Sequence, residues 1–426
     1  MDARNFRYLF ENSKDGTIQS GCIWDTIAQK KTTYLYMAQA HIKENTNKSK
    51  SLVKLCEEDP MDPWDIFILG AFTVPYVKKM LELVKKNNIV TIVLPYIPPI
   101  QRLVLYHWYE PDMQKDTDFL DFMEHPYTFL KKAGIRHIYF VYGNGNNIEL
   151  ESENFSPGHY FDKADDEILH LVSEMEGQYI PVVKAGYIVE NSWLFYYGQF
   201  GRDMDRFSQL SLNNPEEVEG SMPFRGKEKL LAGVKKICHE YMKQFGMKTS
   251  STITMFQGPI NDSPQEVDSV LAGKIFSKEN NCKTQIPTNG RNCLLKCLYQ
   301  NDYDLLKRHK MMDREESCFG VLLLGNININ RCLPELIVRF SCVQNKIRVI
   351  ALPGCGMEEY WNKEYLVWMN QNEMRYWVCT KQQAEASAVI TDLVLANPYN
   401  RVVTVSEEYG YCFSGYLVPR VEMEEE

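Results

Sequence analysis

The chain of 426 residues has no apolar run approaching the ~18 residues that a membrane-spanning helix needs, so helical insertion into a bilayer is not expected. Its opening segment, MDARNFRYLFENSKDG, carries charges throughout and lacks the apolar core of a secretory signal, which predicts a cytoplasmic protein. A surplus of basic charge is missing as well. With 47 Lys and Arg against 56 Asp and Glu, the formal net charge is −9, and strong nonspecific binding to nucleic-acid backbones is not expected. Low-complexity tracts and fixed-period repeats are absent, so a compact globule with one large core or two ordinary ones follows from the 44% hydrophobic content.

Histidine is scarce. The eight residues His41, His107, His125, His137, His159, His170, His239 and His309 show no H-x-H, H-x-x-x-H or H-E-x-x-H spacing, and they read as isolated side chains rather than metal ligands. Cysteine, in contrast, is plentiful. Its twelve residues scatter from Cys22 to Cys412 without the dense spacing of a disulfide framework, which fits reduced cytosolic thiols. The tight pair Cys293 and Cys297, with Cys282 upstream, has no histidine nearby and reads as buried helical packing ahead of a zinc knuckle. Lys78, Lys79, Lys85 and Lys86 lie at helical spacing, as the solvated face of an amphipathic helix or a local basic patch.

Apolar, β-branched runs alternate with helix-period segments at both ends of the chain, the pattern of an α/β layered fold. Strands are expected at Gly21–Thr26, Thr32–Met37, Asp65–Leu69 and Val90–Leu94, with a helix over Val77–Lys86. A second set comprises strands Phe319–Leu324, Ile347–Leu352, Tyr376–Cys379 and Arg401–Val405, with helices Leu333–Cys342 and Lys381–Asp392. Between the two sets, helices are expected at Pro98–Tyr109, Asp118–Lys132 and Lys227–Phe245, and strands at His137–Tyr142 and Thr252–Phe256. Tyr179–Val189 and Trp193–Tyr197 resemble a hairpin, and Asn261–Asn292 an exposed, mobile connection. The Gly143-Asn-Gly-Asn-Asn turn lacks the Lys and Ser/Thr of a phosphate loop. Aromatics at Tyr106, Trp108, Tyr109, Trp193, Phe195, Tyr196 and Tyr197 suit either a binding surface or a core.

Open α/β folds place their chemistry in loops at the carboxyl ends of strands, so those junctions carry the functional reading. Asp65-Ile-Phe-Ile-Leu-Gly-Ala-Phe-Thr-Val-Pro-Tyr76 ends a strand and enters a helix. Val321-Leu-Leu-Leu-Gly-Asn326 ends a second, Arg348-Val-Ile-Ala-Leu-Pro-Gly-Cys-Gly356 a third, and Ala396-Asn-Pro-Tyr-Asn400 precedes a fourth. In this order the four motifs resemble the metallo-β-lactamase superfamily, in its nuclease-like and phosphodiesterase-like branch. There the first strand runs into H-x-[HD]-x-D-H, the second ends in G-D, the third leads into P-H-H-G and the last is H-P. The resemblance covers roughly residues 15–96 and 315–408.

Laid on that pattern, every chemical position is substituted: Ala71, Thr73, Pro75 and Tyr76 in the first motif, Asn326 for the bridging acid, Gly354 and Cys355 for the paired histidines, Asn397 for the last. A binuclear site of this class needs anionic or imidazole ligands in a fixed geometry, and its metals generate the attacking hydroxide. The resemblance therefore implies a metallo-β-lactamase-like αββα sandwich with no metal and no cofactor, split as 1–110 and 316–426 around a central insertion, 111–315, with helices and a small sheet. It implies a pseudoenzyme that binds a protein partner, a second copy of itself or a small nucleotide-like ligand, for instance as a regulatory or structural subunit in a bacterial anti-phage defence system. The competing reading is an active hydrolase of phosphodiester, nucleotide or lactone substrates, with relocated metal ligands or a Cys355 nucleophile. A nucleic-acid-binding module is a weaker third.

Overall fold

The structure is a computed structural model that describes residues 4–13, 16–25, 29–38, 64–72, 74–86, 89–99, 102, 117–143, 157–190, 192–200, 252–260, 267–277, 320–369, 375–380, 388–397, 400–406 and 409–419. Its strands are β1 (Arg4–Ser13), β2 (Gly16–Asp25), β3 (Lys30–Ala38), β4 (Trp64–Leu69), β5 (Ile89–Pro95), β6 (His137–Val141), β7 (Gly158–Lys163) and β8 (Val182–Glu190). They continue with β9 (Trp193–Phe200), β10 (Thr252–Pro259), β11 (Val267–Ser277), β12 (Gly320–Leu323), β13 (Ile347–Ala351), β14 (Tyr376–Thr380), β15 (Arg401–Val405) and β16 (Tyr409–Pro419). The helices are α1 (Val74–Lys85), α2 (Thr117–Glu124), α3 (Pro126–Lys132), α4 (Asp166–Glu176), α5 (Ile329–Phe340), α6 (Glu364–Trp368) and α7 (Ala388–Ala396).

All strands join one mixed sheet of 16 strands, ordered β11-β16-β1-β2-β3-β4-β5-β6-β8-β9-β10-β12-β13-β14-β15, with β7 attached to β8. Two parallel runs, β3-β4-β5-β6-β8 and β12-β13-β14-β15, are connected by the antiparallel β8-β9-β10-β12 segment. Parallel neighbours need crossovers, and the helices supply them on the outer faces. Along β4, Phe67 and Leu69 enter a core shared with α1 to α4, whereas Ile66 and Ile68 point the opposite way. Along β12, Leu322 packs with α5 to α7 and Val321 and Leu323 face inward. The inward-facing residues of both runs belong to one cluster, in which Tyr34 of β3 meets the Phe195 ring of β9 at 5.1 Å although the two strands are not sheet neighbours. β15 lies against β1 and β16, which brings the two ends of the sheet together.

The α/β class and most of the expected strands are present, with particular corrections. The middle part does not form a separate small sheet: β6, β8, β9 and β10 are interior strands of the one sheet. Within the expected loop Asn261–Asn292, β11 forms a full strand on β16. The helix expected over Asp118–Lys132 breaks at His125, because Pro126 starts α3 without a backbone donor. β1, β7 and β16 were not foreseen, since their polar and glycine content blurs the alternation. Lys79 is buried beside Glu82, and Lys85 pairs with Asp118, so the lysine face is only partly solvated. The helix expected at Lys227–Phe245, most of that at Pro98–Tyr109, and Cys282, Cys293 and Cys297 lie outside the described residues. Trp193, Phe195, Tyr196 and Tyr197 are core residues, at most 1% exposed.

Two buried arginines tie loops and helices to the sheet. Arg102 pairs with Glu176 at the end of α4 through Nη1–Oε1 and Nη2–Oε2 contacts of 2.9 and 2.8 Å, and the Tyr96 hydroxyl donates to the same carboxylate at 3.0 Å. Arg339 of α5 reaches Asp162 of β7 at 3.2 Å, donates to the carbonyls of Gly186 and Tyr197, and lies 3.9 Å from the Tyr196 ring centre. Burial pushes the Asp162 carboxyl up, and the Arg339 guanidinium pulls it partway back.

Removing one partner of a fully buried pair leaves a charge without compensation, at a cost of about 3–5 kcal/mol. Glu176→Gln is therefore expected to lower the free energy of unfolding in denaturant by about 3 kcal/mol. The double replacement Arg102→Met with Glu176→Leu is expected to cost much less, and equal losses for the two would refute this account of the pair.

Candidate functional site

The carboxyl ends of the parallel strands bring three of the four strand-end motifs together. At the end of β4 the amides of Gly70 and Ala71 donate to the Met37 carbonyl at 2.6 and 3.2 Å, and Ile253 N–H donates to the Gly70 carbonyl at 2.8 Å. Ala71 forms an isolated bridge with Thr252. From the other half of the sheet, Thr254 Oγ1 donates to the Leu324 carbonyl at 3.3 Å and Gly354 N–H to the Gly325 carbonyl at 2.8 Å. The first, second and third motifs thus share one hydrogen-bond network, with the first three residues of β10 between them.

Tyr36 occupies the centre of this junction. Its ring is buried and its hydroxyl donates to the Ile253 carbonyl at 2.8 Å. Both flanking loops turn on glycine because of it. A Cβ on Gly70 would stand 2.6 Å from Tyr36 Cζ, and one on Gly325 would stand 2.7 Å from the Tyr36 hydroxyl and 2.5 Å from Thr252 Cγ2. Gly325 also has φ +60, which an L side chain adopts only with strain.

Of the positions singled out in the sequence, Ala71 is fully buried in this network and Tyr76 is buried beside it, its hydroxyl donating to the Ala38 carbonyl at 2.7 Å. Asn326 follows Gly325, half-buried, and its Oδ1 is enclosed without a hydrogen-bond partner among the described residues. Gly354 lies in a 3-10 turn, Pro353–Gly356, which also carries Cys355. Thr73 lies outside the described residues, as do the side chains of Pro75 and Cys355. Asn397 is buried at the end of α7; its N–H donates to the Leu393 carbonyl and its carbonyl accepts from Asn400. The residues that sequence reasoning missed are Tyr36, Thr252 and Gln19.

A cleft opens beside Tyr36, lined by Gln19, Ala38, Leu323, Gly325, Leu352, Cys379 and Val405 among others, with a cavity volume of about 20 Å³. That is room for about one water molecule. Burial pushes the Cys379 thiol up to about 12, which makes it a poor nucleophile at neutral pH. Among the described residues, no group of three or more His, Cys, Asp or Glu is placed to hold a metal ion. The junction offers a methyl group, amides, a phenol and backbone carbonyls.

A second polar cluster joins β3, β6, β7 and β8, and it corrects the reading of the histidines as isolated. The rings of His137 and His159 are 4.9 Å apart, and His159 Nδ1 lies 3.1 Å from the Tyr139 hydroxyl. His159 Nε2 stands 3.7 Å from Glu190, which also receives Lys30 at 2.9 Å. Lys30 begins β3 and Glu190 ends β8, so the carboxylate spans two distant parts of the sheet. Glu190 is held down at about 2, chiefly by His159 and then by Lys30. His137 is lowered by burial, by His159 and by Arg136, against the pull of Glu190. Nearby Asp65, which accepts from the Thr33 amide at 2.7 Å, is raised by burial.

Comparison of the chain with protein-family models, with curated proteins and with solved structures finds no match.

Gly70→Ala is expected to lower stability by about 1–3 kcal/mol through overpacking, and by much less in a Tyr36→Leu background, since the two groups share one space. Additive losses in denaturant melts would remove Tyr36 from the junction. Acid is expected to weaken the β3–β8 cluster. The depressed Glu190 contributes stability that is full above about 4.5 and lost as pH falls through about 2, and the depressed His137 contributes above 6.5 and loses it on acidification. Glu190→Gln should therefore cost on the order of 1–2 kcal/mol at pH 7, after allowance for solvent screening, and the gap from wild type should close as pH approaches 2. Melting curves that stay separated at pH 2 would contradict this.

Proposed function

We propose that the chain is a non-catalytic protein on a metallo-β-lactamase-like αββα scaffold, whose strand-end cleft serves binding: of a small ligand, or of a protein partner that includes a second copy of the chain. The observation that carries this reading is Tyr36. Two loops that would bring imidazoles and carboxylates to a pair of cations, at Gly70 and Gly325, instead close around a phenol whose hydroxyl is committed to the Ile253 carbonyl, and the third bonds to Gly325 through the Gly354 amide. The inner cluster shared by both parallel runs, the two helix-covered cores and the parallel strand ends support the scaffold assignment.

Chemistry supports the loss of hydrolysis in this reading. Divalent ions are held by deprotonated thiols, imidazoles or carboxylates at fixed distances, and loss of even one supporting group costs about 10- to 100-fold in affinity. Ala71, Gly354 and the amides of Asn326 and Asn397 provide no anionic or imidazole donor. Without the ion there is no acidified water to attack a phosphodiester or lactone. No helix among the described residues is long and apolar enough to cross a membrane.

Elemental analysis of the protein purified without added metal is expected to find zinc and manganese well below one ion per chain, with no phosphodiester or lactone turnover that a chelator abolishes. Close to two ions per chain, or chelator-sensitive turnover, would overturn the proposal. Turnover that persists with chelator and disappears in Cys355→Ser would overturn it in favour of thiol chemistry.

A further inference from the structure

A cluster of ligating side chains that the reading above leaves unused lies at the amino ends of the parallel strands, opposite the strand-end junction. His137 opens β6, Lys30 opens β3, and Asp65 is the second residue of β4. His159 of β7 and Glu190 of β8 meet them there. His137 is exposed, and the side chains of His159 and Glu190 are 17% and 29% accessible, so an ion from solvent can reach all three.

The two imidazoles stand as a chelating pair would. Two rings bound to one ion, through bonds of about 2.0–2.1 Å at a tetrahedral angle, have their centres about 5 Å apart. Those of His137 and His159 are 4.9 Å apart, with the planes at 66°. His159 Nδ1 lies 3.1 Å from the Tyr139 hydroxyl, and a contact of this kind fixes the tautomer and orientation of a ligating imidazole. With the Nδ1 proton donated to that hydroxyl, Nε2 presents its lone pair on the side of Glu190. The 3.7 Å from Nε2 to Glu190 Oε1 is longer than a hydrogen bond, so the carboxylate does not occupy that lone pair. Lys30 and Arg136 bring positive charge to the cluster, and Glu190 and Asp65 balance it, so a dication meets no net repulsion.

We infer that His137 and His159 form a binding site for a borderline transition-metal dication of the zinc, nickel and cobalt class, with Glu190 supplying negative charge beside it. Imidazole nitrogen suits these ions, whereas magnesium and calcium take oxygen ligands. Among the described residues no three His, Cys, Asp or Glu are placed to hold one ion, so the protein supplies two ligands and water the rest. Such a site fills from added metal and empties when the protein is purified without it. It is separate from the strand-end cleft, and its occupation does not depend on the reading of that cleft.

The test is titration of the metal-free, reduced full chain with cobalt(II), followed by absorption, because the twelve cysteines compete for such ions and cobalt–thiolate bonds give a charge-transfer band that cobalt–imidazole bonds lack. Cobalt is expected to bind without that band, and an excess of magnesium is expected not to displace it. His137→Gln and His159→Gln should each weaken binding by about tenfold or more, and His125→Gln should leave it unchanged. A second measurement needs no variant: zinc is expected to shift the ring proton resonances of two of the eight histidines in the wild-type chain. No binding by the wild type, equal affinity in His137→Gln and His159→Gln, binding accompanied only by the thiolate band, or zinc that moves no pair of histidine resonances would overturn the inference.

Discussion

The structure depends on a single sheet being buried on both faces. Residues of β4, β5 and β6 and residues of β9, β10 and β12 through β15 contribute side chains to one inner cluster, and their neighbours feed two outer clusters under the helices. Each large apolar side chain so enclosed is worth about 1.5–3 kcal/mol, and no strand end of either parallel run can shift without exposing members of two cores. This accounts for the continuous apolar runs of β4, β12 and β13, which carry no polar alternation for a solvated face. Some polar groups of the inner layer are paired locally. Trp193 Nε1 donates to Gln257 Oε1 at 2.6 Å, and Gln19 donates to Tyr34.

The same constraint decides what the strand-end loops can do. Parallel strands force every crossover to begin at one edge of the sheet, so the motifs after β4, β12 and β13 gather there whatever residues they carry. Once gathered, the space among them has to be filled. Here a tyrosine fills it, and glycine at 70 and 325 is the consequence, because a methyl group would overlap the ring at the first place and the hydroxyl and Thr252 at the second. An ion of similar volume would demand charged ligands, and the loops carry none at the described positions.

How much of this was legible follows from residue type. Strands such as Asp65–Leu69 and Phe319–Leu324 were readable because both-sided burial leaves an unbroken apolar run. β1 and β16 were not, since Arg7, Asn12, Ser414 and Gly415 break the alternation and only pairing with distant strands defines them. The loop motifs were readable as strand-to-turn junctions, and three of them do meet. What sequence could not provide is the occupant of their junction. Tyr36 lies in an ordinary alternating strand, and nothing local distinguishes it from Tyr34. Likewise His137 and His159 are 22 positions apart and come together only because β6 and β7 both border β8, a pairing with no local signature.

Asn326 shows how charge and burial are linked at this edge. In the resemblance its place belongs to an acid that bridges two cations, and a carboxylate enclosed there without them would carry the heavy cost of an unpaired buried ion. The carboxamide keeps the size and one acceptor while removing the charge, so its unmet Oδ1 costs only about 1–3 kcal/mol. Gln19 and Gln199 follow the same rule. Away from the buried arginines, neutral amides supply the polarity of the inner layer, because an unpaired carboxylate there would cost far more than an unmet amide oxygen.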